Sequence, residues 1–136
     1  MKRSSPLRRK TPLRSGKRST KYARRERDYD RMGWIKTRSC AVSVRCEWDL
    51  WYGAEPDQCN GDVEAHHAGT HGMGNKSPDD TAIPMCSHHH RCITGKPGGR
   101  GVFSGWPRGA VKRWELAVIR RYQELYSAYR LVVGLY

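Results

Sequence analysis

The chain has 136 residues, which is room for one small domain and an extension, and five cysteines, an odd number that fits a disulfide-bonded scaffold poorly. Its net charge of +13 lies almost entirely in residues 1–38, where 15 basic and 3 acidic residues give +12, so residues 39–136 carry only +1. No stretch is apolar and long enough for a transmembrane helix, and no apolar segment follows the basic N-terminus, so we expect neither a membrane span nor a secretory signal.

Residues 1–38 are interpreted as a basic arm that binds nucleic acid. Pro, Gly, Ser and Thr interrupt the dense positive charge over residues 1–20, so this part is predicted to be disordered in isolation. Cations along a flexible arm neutralise phosphates and release counterions, which favours sequence-independent contacts with the nucleic-acid backbone; a solubilising or targeting extension is the alternative. The predicted contacts are Arg8, Arg9, Lys10, Lys17, Arg18, Arg24, Arg25 and, in a later loop, Lys76.

Three shorter segments carry local structural signals. Residues 21–34 contain no Pro and only one Gly near their end, which predicts a short helix. Val63–His67 follows the turn at Asn60-Gly61 and predicts a β-strand. Residues 85–92, which follow a proline, predict one or two turns of helix.

A longer helix is predicted over about residues 108–130 of the second domain, residues 39–136. Its apolar residues recur in steps of three and four, the spacing of one helix face, which we expect to cover the core. Pro107 lies near the predicted start, where its missing N–H costs nothing. The apolar face consists of Val111, Trp114, Val118, Tyr122, Leu125 and Tyr129.

All five cysteines and all six histidines lie between positions 40 and 92. Thiolate and imidazole ligands suit zinc, and a tetrahedral site with ligands from distant parts of the chain would hold the loops of a small domain together. Cys86 and His89 form a C-x-x-H pair on one short turn. Their partners come from Cys40, Cys46 and Cys59, and the spacing leaves open which two of these three serve.

His66, His67 and His90 are among the histidines that remain after that site is filled. Neighbouring residues of a strand point to opposite faces, so one imidazole of the His66-His67 pair can bind a second metal while the other acts as a base, if the twist brings both to one edge. Imidazole titrates near neutrality and can take a proton from water. The alternative is that these histidines belong to the zinc site or to the surface.

Three stretches of the sequence occur in an order that resembles the HNH endonucleases. They read CNGDVEAHHAG from Cys59, GMGNKSPDD from Gly72 and IPMCSHHHR from Ile83. The phage-type branch similar to the recombination-enhancement nuclease has the same order: a cysteine-rich lead, a His-His pair on a strand, a G-x-K-x-x-D loop and a P-L-C-x-x-H-H sequence that opens a helix. The resemblance covers about residues 40–104, roughly half of the chain.

The resemblance implies an α+β fold of the ββα-metal type, stabilised by zinc, in which a hairpin carries the His-His pair and a short helix carries the last ligands. It places His66 and His90 at the positions that hold a catalytic Mg²⁺ or Mn²⁺ ion. His67 takes the position of the general base, and Asp79 that of the residue that orients the base or supports the metal. Cys46 falls in an insertion. The implied ligands of the structural Zn²⁺ are Cys40, Cys59, Cys86 and His89.

The implied activity is metal-dependent hydrolysis of DNA phosphodiester bonds, by nicking or double-strand cleavage, which leaves 5′-phosphate and 3′-hydroxyl ends. The implied setting is the bacterial cytoplasm, for a phage or prophage protein whose partner is DNA, with a recombination or packaging protein as a second candidate partner. No membrane partner is expected.

One position departs from the family pattern. Many relatives place another histidine one helical turn after the position of His90, and here that residue is Thr94. Either Asp79, Asp80 or water completes the coordination of the catalytic ion, or the ion binds weakly. The alternative functions are a non-catalytic zinc-stabilised protein that binds DNA or RNA, and a ribosome-associated or RNA-processing protein.

Overall fold

A computed structural model of the chain describes residues 27–53, 55–68, 77–95 and 101–134. Within them the protein has three α-helices and one two-stranded antiparallel sheet, which is a small α+β fold. No helix in these residues is long and apolar enough to cross a membrane. The helices and strands are α1 (Tyr29–Lys36), β1 (Val63–His67), β2 (Ala82–Cys86), α2 (Ser87–Thr94) and α3 (Ala110–Val133).

Most of the basic arm lies outside the described residues, and with it the disorder predicted for residues 1–20. The arm is predicted to extend to residue 38, whereas α1 packs into the core through Trp34 and Ile35, which are buried. The packed part of the chain therefore begins before residue 39. The predicted nucleic-acid contacts that also lie outside the described residues are Arg8, Arg9, Lys10, Lys17, Arg18, Arg24, Arg25 and Lys76.

Helix α1 overlaps the helix predicted near residues 21–34, but it begins at Tyr29, later than predicted, and ends at Lys36; residues 21–26 lie outside the described residues. It begins after Asp28, whose Oδ1 accepts a hydrogen bond from the Arg31 N–H at 2.9 Å, an N-cap of the usual kind. The helix continues past Gly33 because the two residues that follow are buried in the core. Their burial outweighs the cost of about 1 kcal/mol for a glycine inside a helix.

The strand predicted at Val63–His67 is confirmed, and it pairs with β2 as an antiparallel hairpin that sets His67 opposite Ala82. Every residue of β2 is buried. Pro84 has no N–H to donate, but its carbonyl oxygen accepts a hydrogen bond from the Ala41 N–H at 2.8 Å. The chain that precedes β1 therefore covers the outer edge of β2.

The helix predicted over residues 85–92 begins later than expected. Met85 and Cys86 are the last two residues of β2, and α2 starts at Ser87. Cys86 keeps an extended backbone, and its Sγ accepts a hydrogen bond from the His89 N–H at 3.4 Å. Because the side chain of Cys86 caps the helix, the helix starts only at the residue that follows.

Helix α3 confirms the predicted C-terminal helix and extends it by three residues past 130. The sequence analysis predicts that Leu125 and Tyr129 cover the core. This prediction is wrong, because the two side chains are 40% and 38% exposed. The step of three from Tyr122 to Leu125 rotates away from the core, whereas a step of four stays on the buried stripe. The buried stripe is Trp114, Val118, Tyr122 and Tyr126.

The core fills the space between α1, the sheet and α3. Ile35 of α1, Ile83 of β2 and Trp114 of α3 are fully buried. Trp51, which follows a single 3-10 turn, packs edge-on against Trp114 with ring centroids 5.6 Å apart. This core fixes the hairpin between two helices, so the ends of the hairpin and the start of α2 are held in place.

Candidate metal centre and adjoining histidine site

Four donor atoms converge at the junction of β2 and α2. The ligand atoms of Cys40, Cys59, Cys86 and His89 all lie within 4.8 Å of one another. The Nδ1 atom of His89 is 3.2 Å from Sγ of Cys86, 3.5 Å from Sγ of Cys40 and 3.6 Å from Sγ of Cys59. In a tetrahedral site with Zn–S near 2.3 Å and Zn–N near 2.0–2.1 Å, an N–S edge is about 3.6 Å. The four side chains therefore fit a zinc ion.

Each ligand is placed by a different part of the chain. Cys86 ends β2 and caps α2, which puts His89 one turn further along the same helix. Cys40 lies next to Ala41, whose N–H is bonded to β2, and Cys59 lies in the loop that leads into β1. A metal at this point joins the hairpin, α2 and two loops, as the sequence analysis predicts for a small domain.

The structure resolves the choice that the spacing leaves open among the upstream cysteines. Cys46 is not part of the cluster. Its backbone carbonyl oxygen accepts a hydrogen bond from Nε1 of Trp114 at 2.9 Å, so this residue packs against α3 instead. Burial raises the pKa of the Cys46 thiol to about 11, which keeps it protonated and unreactive near neutral pH.

Without a bound metal, the surroundings of the cluster favour uncharged cysteine and histidine side chains. Desolvation is the chief reason that the pKa values of Cys40 and Cys59 are raised, and the same effect lowers the pKa of His89. Both shifts favour uncharged side chains in the absence of metal. A bound zinc ion reverses this preference for the thiols, because a coordinated thiol is deprotonated.

Asp57, which the sequence analysis does not single out, contacts the ring nitrogen of His89 that faces away from the sulfurs. Oδ1 of Asp57 lies 3.3 Å from Nε2 of His89, and its Oδ2 lies 2.5 Å from Nε2 of His88. Desolvation opposes ionisation of Asp57, but these hydrogen bonds outweigh it and lower its pKa. A carboxylate on Nε2 fixes the tautomer that directs Nδ1 of His89 at the sulfurs. The available signal was an aspartate two residues before Cys59.

Asp57, His88 and His89 also lie within 4.8 Å of one another through their ligand atoms. His89 already directs Nδ1 at three sulfurs, so its Nε2 is left for the carboxylate. The arrangement matches a carboxylate–histidine support of the zinc ligand better than a second ion.

His66 lies on the other side of α2 from the cysteines. It is 8% exposed, and its Nε2 is 2.9 Å from Oε1 of Glu115 on α3. Its ring centroid is 4.8 Å from that of His90, whose Nδ1 is 2.6 Å from Oε2 of Glu64. The sequence analysis did not single out Glu115, because a glutamate beside the apolar stripe of a helix is usually exposed to solvent. Its signal was a charge within a helix face that is otherwise buried.

His67 and Asp79 form a second contact at the end of the hairpin. Nε2 of His67 is 2.9 Å from Oδ1 of Asp79, which is 4% exposed. Oδ2 of Asp79 accepts a hydrogen bond from the Asp28 N–H at 2.9 Å, and Nε of Arg31 donates to the Asp79 carbonyl at 3.1 Å. The start of α1 therefore fixes the carboxylate that faces the predicted base.

Thr94 does not take the place of the histidine expected there. Its hydroxyl donates to the carbonyl oxygens of His90 and Arg91, at 3.0 and 3.2 Å, so it is bonded to its own helix. Asp79 is directed at His67 and α1, and the carbonyl of Asp80 accepts from Arg31. Within the described part of the chain, the His66 region does not reach the mutual spacing of 4.8 Å that the cysteine cluster has.

Comparisons of the chain with family models, with curated proteins and with solved structures found no match. The HNH endonucleases therefore remain a resemblance in motif order.

Proposed function

We propose that the protein is a zinc-stabilised endonuclease of the HNH type that hydrolyses DNA phosphodiester bonds with the help of a divalent cation. One observation carries this proposal: His67, at the end of β1, is held by the buried carboxylate of Asp79. A histidine fixed by a buried carboxylate is an arrangement that suits a general base. The neighbouring His66 lies beside His90 of α2, with ring centroids 4.8 Å apart, and these are the two imidazoles that the motif order assigns to the catalytic ion.

The proposed base is His67. A neutral imidazole that donates from Nε2 to Asp79 carries its lone pair on Nδ1, which is then the atom that accepts a proton from water. The hydroxide formed attacks phosphorus, and the bond to the 3′ oxygen breaks, which gives 5′-phosphate and 3′-hydroxyl ends. Asp79 stabilises the imidazolium that forms and keeps the ring in place.

His66 and His90 are the proposed holders of the catalytic Mg²⁺ or Mn²⁺. Such an ion, when bound, supplies positive charge to the phosphate and to the departing 3′ oxygen. The nitrogen donors of the pair also suit zinc or nickel, so the choice of metal is a measurement to make. The cysteine cluster has no open position and serves the fold.

The basic arm is the proposed contact with DNA. Its net charge of +12 over residues 1–38 favours the phosphate backbone over any particular base. The arm enters the fold at Asp28, whose N–H is bonded to Asp79. The part of the arm that precedes Asp28 therefore joins the fold beside the proposed base, which supports delivery of the bound strand to that point.

The test is cleavage of supercoiled plasmid by the zinc-loaded full-length chain with Mg²⁺, Mn²⁺ or EDTA. We expect metal-dependent nicking that falls at least about 100-fold in His67→Ala, with unchanged DNA binding. His88→Ala is the matched control, because it also removes an imidazole that faces a carboxylate, and it should keep its activity. Retained nicking in His67→Ala would show that another group is the base.

A second candidate function is a non-catalytic, zinc-stabilised module that binds DNA or RNA through the arm. The observation that favours it is Thr94, which is bonded to its own helix where the family pattern has a histidine. Salt-sensitive binding without nicking under any metal would favour this candidate. Preference for structured RNA over duplex DNA in a competition assay would then favour an RNA-processing protein.

A further inference from the structure

A groove of about 540 Å³ lies where α1 and α3 meet at the surface, and neither the zinc ligands nor the proposed base line it. Tyr29 of α1 and Tyr129 of α3 both line this groove, and their side chains are 77% and 38% exposed. The rest of its described lining is aromatic, small or polar, and includes no Leu, Ile, Val or Met. The groove therefore offers ring faces and polar groups rather than an aliphatic surface.

Gly33 keeps the groove open although α1 does not need a glycine at this position. It lies inside the helix and has no positive φ. Among the described residues, no atom lies within 4 Å of the position that a Cβ would take. A glycine inside a helix is unfavourable relative to alanine, and here neither the backbone conformation nor the packing requires one. What Gly33 contributes is room for a ligand close to the backbone of the helix.

Trp34, which also lines the groove, has a buried donor without an acceptor. The side chain is 7% exposed, and its Nε1 makes no hydrogen bond to any described residue. A buried N–H without a partner is rare in folded proteins. The ring packs against those of Tyr122 and Tyr126, which supply no acceptor to it. A ligand in the groove that carries an oxygen or nitrogen acceptor would supply the partner that the core lacks.

The groups that line the groove suit an unpaired nucleobase. Tyr29 and Tyr129 offer the ring faces on which bases stack. The Cζ atom of Arg38 lies 5.2 Å from the ring centroid of Trp34, and its positive charge suits the phosphate next to a bound base. The carboxylate of Asp30 accepts hydrogen bonds from base amino groups and repels phosphate, so it favours the base as the group that enters the groove.

The place of the groove in the chain also favours nucleic acid. Tyr29 is the first residue of α1, so the groove begins where the basic arm joins the fold. A strand whose phosphates contact the arm, with its net charge of +12 over residues 1–38, is therefore held close to the groove. A second copy of the chain would instead bring a further net charge of +13 to this positively charged part of the molecule.

We propose that this groove binds an unpaired base of single-stranded DNA. The arm then contacts the phosphates of a strand while the groove holds one of its bases, which gives the protein a preference for unpaired DNA that the arm alone does not provide. This inference rests on the DNA partner of the proposed function, but it does not depend on cleavage.

The test compares two short labelled strands in a fluorescence anisotropy titration of the zinc-loaded full-length chain. One strand has ordinary bases, and the other has the same length but consists of abasic sites, so both carry the same phosphates. We expect the ordinary strand to bind at least about fivefold more tightly, the effect of stacking one base. Gly33→Leu should remove this difference by filling the groove, and its affinity for the abasic strand should equal that of the wild type.

Two tyrosines provide a matched pair of variants. Tyr129→Ala removes a ring that lines the groove and should weaken the preference for the ordinary strand. Tyr52→Ala removes a ring of similar exposure, 41%, that does not line the groove, and it should keep the preference. The zinc content and melting temperature of each variant separate loss of the groove from loss of the fold. Gly33→Ala should melt no lower than the wild type, since its added Cβ contacts no described atom.

Other occupants of the groove give different results. Equal affinity of the wild type for the two strands overturns the proposal, and so does a preference that Gly33→Leu and Tyr129→Ala both retain. If the groove takes the arm of its own chain, Gly33→Leu should free the arm and bind both strands more tightly. If it takes a second copy, sedimentation should show a dimer that dissociates in Gly33→Leu. Either result contradicts a base-binding groove.

The plasmid assay distinguishes failure of this inference from failure of the proposed function. Metal-dependent nicking by a protein that binds ordinary and abasic strands equally would overturn the inference and leave the nuclease in place. A preference for the ordinary strand that depends on Gly33 and Tyr129, in a protein that nicks no DNA, would establish the base-binding groove and overturn the nuclease.

Discussion

His89 and His90 are adjacent in sequence and belong to two different sites. His89 is fully buried and directs Nδ1 at three sulfurs, whereas His90 is partly exposed and bonds to Glu64. Consecutive residues of a helix point about 100° apart, so one helix of eight residues faces the cysteine cluster on one side and His66 on the other. The fold thereby couples a structural site to a proposed reactive site through a single short helix.

The donor chemistry of the two sites differs as much as their position. The first site has three sulfurs and one nitrogen at tetrahedral spacing, a closed set that suits structural zinc. In the second region, around His66, His67 and His90, each imidazole faces a carboxylate instead. The donor atoms there are not as close together as those of the cysteine cluster. Closed coordination stabilises a fold, while an open position is what a reaction at a metal requires. The pairs are His66 with Glu115, His67 with Asp79 and His90 with Glu64.

The largest expected effect is loss of the fold when the closed site loses a ligand. Cys59→Ala should abolish stoichiometric zinc and unfold the domain, because zinc contributes about 10–16 kcal/mol in small zinc domains whose net stability is about 5–15 kcal/mol. Cys46→Ala is the matched control and should keep one zinc per chain. The measurements are metal content and circular dichroism. Equal zinc loss in the two variants would contradict the ligand set described above.

The next effect is confined to the second region. Asp79→Asn should keep zinc and the fold but reduce plasmid nicking by at least about 100-fold, because an amide donates to His67 and reverses its tautomer. Asp80→Asn, one residue further on and exposed, should nick as the wild type does. Comparable losses in the two variants would indicate a general disturbance of this turn rather than an orienting role for Asp79.

A pH dependence distinguishes the two sites further. The thiols of Cys40 and Cys59 have raised pKa values and are protonated near neutral pH without metal, so zinc binding must release their protons. Zinc affinity should therefore fall as the pH falls, over the whole range below these pKa values. His89, whose pKa is lowered, stays neutral and adds no release above its ordinary range. Calorimetry in buffers of different ionisation enthalpy counts the protons, and a count near zero would contradict this account.

The sequence predicted local elements well where the signal was local. The strand at Val63–His67 and the C-terminal helix follow from turn chemistry and periodicity. The start of α2 was placed early because a cysteine that caps a helix is indistinguishable in sequence from one inside it. The solvation of Leu125 and Tyr129 depends on how α3 is rotated against its neighbours, which periodicity alone does not fix.

The zinc ligands and the carboxylate partners of the histidines differ in how far they could be predicted. Cysteine has few roles in a short chain. A cluster of cysteines therefore indicates a metal site even when the sequence does not show which of them are the ligands. Aspartate and glutamate are usually solvated, so the local signals of Asp57, two residues before Cys59, and of Glu115, beside the apolar stripe of α3, are too weak to identify their partners. Both contacts join segments far apart in sequence, 32 residues for Asp57 with His89 and 49 for Glu115 with His66, and only the tertiary fold brings them together.

The smallest expected effect tests the support behind the closed site. Asp57→Asn should lower zinc affinity by about 10–100-fold without abolishing binding, because the four ligands remain while the group that fixes the tautomer of His89 loses its charge. Competition with a chromogenic chelator measures the affinity, and Asp49→Asn, which alters an exposed aspartate in a 3-10 turn, is the control. Unchanged affinity in Asp57→Asn would mean that the sulfurs alone orient the ring. Asp57 would then belong with His88 at the surface, and the two sites would be less alike than their shared histidine–carboxylate contacts suggest.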